Sequence, residues 1–292
     1  MQQLINGLFL GSVYALFALG YTLVFGVLGV LNLAHAAVFM LGAFAALVLV
    51  MELKLNIWLA LGGSMVISGF LGVLLERVAF APLRRRPDTH LAGLISSIAM
   101  ALMFEAFALW RFEARTSRYP AGTYSDRNLE LFGATVSELQ LIILGVSLVL
   151  MAVLQFLVRR TRFGAAMRAV AEDERAARIL GINVERTILL TFVLASALGG
   201  ASGVLYSLAF NAVNPDMGRA MELKGLAVII MGGLGSIPGA VLGGFILGLV
   251  EVMSVAITGQ SSYRDAIAFA AMFLILLLRP RGLFGDRANR QA

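Results

Sequence analysis

The chain has 292 residues, 60% of them hydrophobic and 14% charged, with a mean hydropathy of +0.89 and a formal net charge of +6. Soluble domains run about 45–50% apolar and about 25% charged, so the composition excludes a chain whose only solvent is water. The lack of cysteine excludes disulfides, iron–sulfur clusters and cysteine zinc sites, and two histidines leave little material for a metal centre, so neither a metal nor a cofactor is expected.

A bilayer core about 30 Å thick is crossed by about 20 apolar residues in a helix. Runs of this kind stand at 4–25, 30–50, 57–78, 91–110, 139–158, 188–210 and 263–278, with a further apolar region at 225–256. They are continuous rather than alternating, which excludes barrel strands and leaves a bundle of helices. No basic residue precedes the first run, and its length exceeds a secretory signal core, so it is expected to remain as a span. The expected fold is all-α: a polytopic helical membrane protein of about eight to nine segments, with broken or re-entrant helices and an internal repeat, in a single transmembrane domain over residues 1–292.

The basic residues, all arginine except Lys54 and Lys224, fall in clusters between the apolar runs. That distribution sets membrane orientation and argues against nucleic acid as a partner. Loop 76–90 carries Arg77, Arg84, Arg85 and Arg86 against Glu76 and Asp88, and loop 159–187 carries seven arginines against four acids, so both are expected inside. The tail after Leu278, with Arg279, Arg281, Arg287 and Arg290 against Asp286, follows them, whereas loop 111–138 balances four arginines with four acids and is expected outside. The segment at 188–210 leaves the cytoplasm and the last span returns to it, so region 225–256 must begin and end outside. Two arms are therefore expected, joined at a break, giving about nine crossings with the amino terminus outside.

The break is visible as IMGGLGSIPGAVLGG at 230–244, and a second glycine-interrupted run, VFGVLGVLNLAHAAVFMLGAF, stands at 24–44. Paired broken segments in two halves of a membrane chain point to a transport site, because irregular backbone at membrane depth survives only inside protein or along a cavity. Ser236 before Pro238 suits a helix start, whose partial positive charge suits a carboxylate. Asn32 and His35 share a helical face within an otherwise apolar run. The candidate substrate pathway is thus Asn32, His35, Gly232, Gly233, Gly235, Ser236 and Pro238. Two plainer readings stand beside it: glycines that let helices pack closely, and a neutral histidine bonded to a neighbouring helix. Glu105 and Glu251 lie within about two turns of a span end, and a structural role is expected for both.

No phosphate-binding GxxxxGK[ST] loop occurs, so nucleotide energy has to come from another subunit, and no catalytic constellation is present. The chain is not expected to be an enzyme. Within loop 159–187, GAAMRAVAEDERAARILGINV at 164–184 predicts one cytoplasmic helix from about Ala165 to Leu180, with Gly181 at its stop. Val170, Ala177 and Leu180 on one face suit docking to a partner or lying at the membrane surface, against a solvated connector as the alternative.

Four motifs, NGLFLGSVYALFALGYTLVFGVLGVLNLAHA, AEDERAARILGINV, GGLGSIPGAVLGG and LLLRPRGLFG, together resemble the LivH-type permease of branched-chain amino acid ABC transporters, almost end to end. The resemblance implies an importer of leucine, isoleucine or valine in the bacterial inner membrane, working by alternating access. This subunit would pair there with a second related permease, two cytoplasmic ATPase subunits and a periplasmic binding protein that selects the substrate. It makes the helix at 165–180 the coupling helix, with Glu174, Arg175, Ala176, Ala177 and Gly181 at the ATPase contact. Arg175 stands where an EAAxxxG signature carries glutamate. Related permeases carry urea, amides or other amino acids, and a secondary transporter coupled to protons through His35 or Glu105 is a reading from another class.

Overall fold

The structure is a computed structural model that describes residues 1–84, 89–124, 127–131 and 134–285. Apolar runs interrupted by glycine and polar residues fold into helices that end where those interruptions stand: α1 (Gln2–Leu28), α2 (His35–Met51), α3 (Ile57–Leu75), α4 (Thr89–Phe112), α5 (Glu138–Arg160), α6 (Arg162–Glu172), α7 (Glu174–Ile179), α8 (Val184–Phe210), α9 (Met217–Gly232), α10 (Ile237–Thr258) and α11 (Arg264–Leu278). A π-helical turn at Glu76–Phe80 and a 3-10 turn at Ala81–Leu83 extend α3. The chain is a polytopic helical membrane protein: among the described residues, seven helices are long and apolar enough to cross a bilayer. α2 and α9, with 17 and 16 residues, are shorter.

α1 is the hub. Its apolar window is 89% buried, against 28% for α4 and α5 and 6% for α11, so α1 is enclosed by protein while the others turn large side chains such as Phe70, Trp110 and Phe273 outward, as a lipid solvent permits. α1 packs most extensively on α10, and α3 on α8. The α1–α10 approach depends on small residues: a Cβ added at Gly248 would overlap the Gly11 backbone, and one added at Gly244 the backbone of Ala15.

Contacts sort the loops into two ends. At one end, Gln2 donates to the Thr135 carbonyl at 2.8 Å, Arg111 faces Glu52 at 3.4 Å, and Ser117 bridges to Val213. At the other, Gly26 lies beside Gly235, and the tail amides of Leu283 and Phe284 donate to Met231 and Gly232 at 2.9 Å each. Successive long helices therefore run between these two ends.

Three details differ from expectation. The arm before the second break begins at Met217, not near 225, because MGRAMELK is helical despite its charges. The expected single cytoplasmic helix is two, since the Asp173 carboxylate caps the amides of Arg175 and Ala176 at 2.7 and 3.0 Å and so starts a new helix in mid-segment. Loop 111–138 contains an antiparallel hairpin, β1 (Asn128–Leu131) with β2 (Ala134–Ser137). Arg85, Arg86, Asp88, Asp286, Arg287 and Arg290, used above to sign the loops, lie outside the described residues.

Candidate translocation site

At the first break α1 ends at Gly29, whose left-handed φ of 68° terminates the helix, and α2 begins at His35. His35 is fully buried. Its ring sits between α1 and α8, against the Gly20 and Gly199 positions, with centroids 4.9 Å from those of both Phe17 and Tyr21. Nε2 lies 3.2 Å from the Phe17 carbonyl, while Nδ1 has no partner among the described residues. Asn32 is 2% exposed, and neither polar atom of its side chain finds a partner among the described residues; nor does the buried Tyr21 hydroxyl. Buried polar groups without partners are costly, so these side chains mark the first break as a polar place in an apolar bundle.

At the second break the α9 helix reaches Gly232, and Gly233 and Gly235, with φ of 104° and 82°, turn the chain in a way side chains resist. Two of the carbonyls that the end of α9 leaves open are met by the tail amides of Leu283 and Phe284. Ser236 Oγ then caps α10 by accepting from Gly239 N at 3.2 Å, with Pro238 in the first turn. A Cβ at Gly235 would lie 3.8 Å from the Gly26 Cα, so the two breaks adjoin. The structure thus brings Gly232, Gly233, Gly235, Ser236 and Pro238 next to the end of α1, while Asn32 and His35 lead away from it along the connection to α2.

Charge inside the bundle lies elsewhere. Lys224 Nζ is 2.7 Å from Glu251 Oε1 and 3.1 Å from Asp265 Oδ1, and donates to the Tyr14 hydroxyl at 3.1 Å, which itself donates to Glu251 Oε2 at 2.8 Å. Four helices, α9, α10, α11 and α1, meet in this one network. Glu251 is fully buried, so the structural role expected of it is an ion pair rather than a reach to the interface.

At the end that holds α6 and α7, the backbone amides of Ala176 and Arg175 lower the pKa of the Asp173 carboxyl. Glu174 pairs with Arg178 at 2.8 Å. Together with Glu76, Arg77, Arg84, Asn183, Glu185 and Arg186, these two line an open cleft of about 560 Å³. Glu76 is buried against Arg84. Ala177, expected at a partner surface, is 1% exposed and faces inward with Val170; the exposed apolar pair is Ile179 and Leu180, at 85% and 77%. Val170 and Ala177 still share a face, but the chain itself covers that face, while Leu180, at the end of α7, leaves it.

The family described as "Branched-chain amino acid transport system / permease component" matches residues 3–276. The chain belongs to this permease family. It is 36% identical to the high-affinity branched-chain amino acid transport system permease protein LivH of Escherichia coli (strain K12), over 98% of this chain and 95% of that protein. It is 35% identical to the corresponding BraD of Pseudomonas aeruginosa, with the same coverage. Among solved structures, PsaBC from Streptococcus pneumoniae in complex with Fab shares the fold, with a TM-score of 0.54, 15% identity, and coverage of 96% of this chain and 93% of that one.

In this permease, sequence reasoning overlooked Lys224, Arg219 and Glu222. All three stand in MGRAMELK, just ahead of the apolar region at 225–256. A charge every few residues looks like a loop to a hydropathy window. The available signal was that Arg219 and Glu222 are spaced to share one helical face.

Proposed function

We propose that this chain is the membrane-spanning permease subunit of an ATP-binding cassette importer for leucine, isoleucine and valine. It works by alternating access in the bacterial inner membrane, beside a second related permease, two cytoplasmic ATPase subunits and a periplasmic amino acid-binding protein. The observation that carries the reading is end-to-end similarity to LivH and BraD, both named as branched-chain amino acid permeases. The geometry supports it through two adjoining backbone breaks, the arrangement in which segments of two halves can shift against each other around a path. The pathway residues on this reading are Asn32, His35, Gly232, Gly233, Gly235, Ser236 and Pro238. The ATPase contact is made by α7 and its flanks, with Glu174, Arg175, Ala176 and Gly181 around the exposed Ile179 and Leu180, and Ala177 supporting them from within.

The test is uptake of radiolabelled leucine by the complete complex. Uptake should collapse on ATP depletion and survive an uncoupler, while the purified chain alone hydrolyses no ATP, having no phosphate loop. Uptake that follows the proton gradient, or hydrolysis by the single subunit, overturns the reading.

A further inference from the structure

Glu105 on α4 and Arg219 and Glu222 on α9 form a charged cluster that hydropathy hides. Arg219 Nη2 is 3.5 Å from Glu105 Oε2, and the two side chains are 71% and 22% exposed. Glu222, half-buried, lies in the field of both, and Tyr21, with its buried unpartnered hydroxyl, lies in the field of Glu222.

Two routes give its depth. Gly218 abuts Ala36 in the first turn of α2, which starts beside Gly20, part-way along α1 rather than at its inner end; an added Cβ would lie 2.8 Å from the Ala36 carbonyl oxygen. From Ala36 the helix α2 climbs about 22 Å to its outer end at Met51. Independently, Phe112 stacks on Phe44 at 4.2 Å. Arg111 beside it reaches Glu52 at the outer end, and Glu105 stands two turns, about 10 Å, below Phe112. Glu105 therefore stands about two turns inside the outer end of α4, within an apolar span, as the sequence suggested. Charged side chains at that depth do not face lipid; they face a bundle interior or a water-filled cavity. Leu223, on the same open side of α9, is exposed as well.

We infer that this face of α4 and α9 lines the translocation path and that its charges recognise the backbone groups of a free α-amino acid, an inference that rests on the proposed function. The Arg219 guanidinium offers a planar fork to the substrate carboxylate, and the carboxylates of Glu105 and Glu222 accept from its ammonium. One cation with two anions is complementary to a zwitterion, and the loose 3.5 Å Arg219–Glu105 contact leaves donors free for it. The site reads no side chain, which fits a path shared by leucine, isoleucine and valine.

Two measurements on the complete complex test this. Leu223→Cys, placed in a chain that has no cysteine of its own, should react with an impermeant charged thiol reagent in intact cells, and 1 mM leucine with the binding protein should slow the reaction at least threefold during turnover. Arg219→Gln and Glu222→Gln should each cut leucine uptake at least tenfold while subunit assembly and ATP hydrolysis stimulated by the binding protein stay within twofold, and Arg219→Lys should retain part of the uptake. An unreactive Leu223→Cys places this face against lipid or another subunit and overturns the inference. So does normal uptake by the glutamine variants. Failure of Arg219→Gln to assemble overturns it too, because the charge would then be structural. A wild-type complex that imports no leucine overturns the functional reading instead, whatever the thiol result.

Discussion

Lys224 and Glu251 show why single residues in this bundle are held by their partners. Two opposite charges 2.7 Å apart, with the Tyr14 hydroxyl bridging them, offset most of the desolvation that either would suffer alone. Removing one partner of such a pair leaves the other buried and uncompensated, at a cost of about 3–5 kcal/mol, whereas replacing both with apolar groups of similar volume is often nearly neutral. Lys224→Met and Glu251→Leu should therefore each lower the thermal midpoint of the detergent-purified complex sharply, and the double variant should recover most of the loss. Additive destabilisation in the double variant would show that the pair does not act as a unit. Asp265, 62% exposed at its side chain, sits at the edge of the network, so Asp265→Asn should change stability by less than about 1 kcal/mol in the same assay.

At the scale of elements, glycines with different surroundings should fail differently. Gly248 meets the α1 backbone at Gly11, so Gly248→Ala has to push two helices apart. A Cβ at Gly235 would make only ordinary contacts with Gly26 and Phe25, but φ is 82°, so Gly235→Ala should be unfavourable by only about 1–2 kcal/mol of backbone strain. The amount of folded permease in membranes should fall clearly for the first and little for the second; equal losses would mean that packing at the α1–α10 contact is looser than it looks. For α7, Ile179→Asp combined with Leu180→Asp should leave permease levels normal and release the ATPase subunits on co-purification, because those two side chains are exposed. Ala177→Glu should lower permease levels themselves, because its side chain faces the interior. Retained ATPase association in the double aspartate variant would move the contact to the charged cleft beside Glu76. The long helices and both breaks were legible in the sequence because apolar length and glycine spacing are local properties. The Asp173 cap, the charged helix start at Met217 and the Lys224–Glu251 pair were not. Each depends on which element lies opposite, and a window that averages hydropathy treats a charge in MGRAMELK as a reason to stop rather than as half of a pair.

The whole molecule joins these scales through its topology. Contacts place the amino terminus, Glu52, Ser117, Thr135 and Val213 at one end, and Gly26, the π turn, α6, α7, Leu283 and Phe284 at the other. Geometry alone does not say which end faces the cytoplasm; charge does. The end with α6 and α7 contains loop 159–187, with seven arginines against four acids, while the other carries the balanced loop at 111–138. Excess arginine is retained on the cytoplasmic side, which predicts an outside amino terminus. The chain contains no cysteine, so single cysteines report this directly. Ala121 and Glu172 are both exposed, one at each end, and neither has the left-handed backbone that would make a substitution strained. Ala121→Cys should be labelled by an impermeant thiol reagent in intact cells, and Glu172→Cys only after the membrane is opened. The reverse pattern would invert the protein and remove α7 from any cytoplasmic partner. Labelling of both from the same side would break the alternation itself, and with it the pairing of the two breaks at one end on which the proposed path depends.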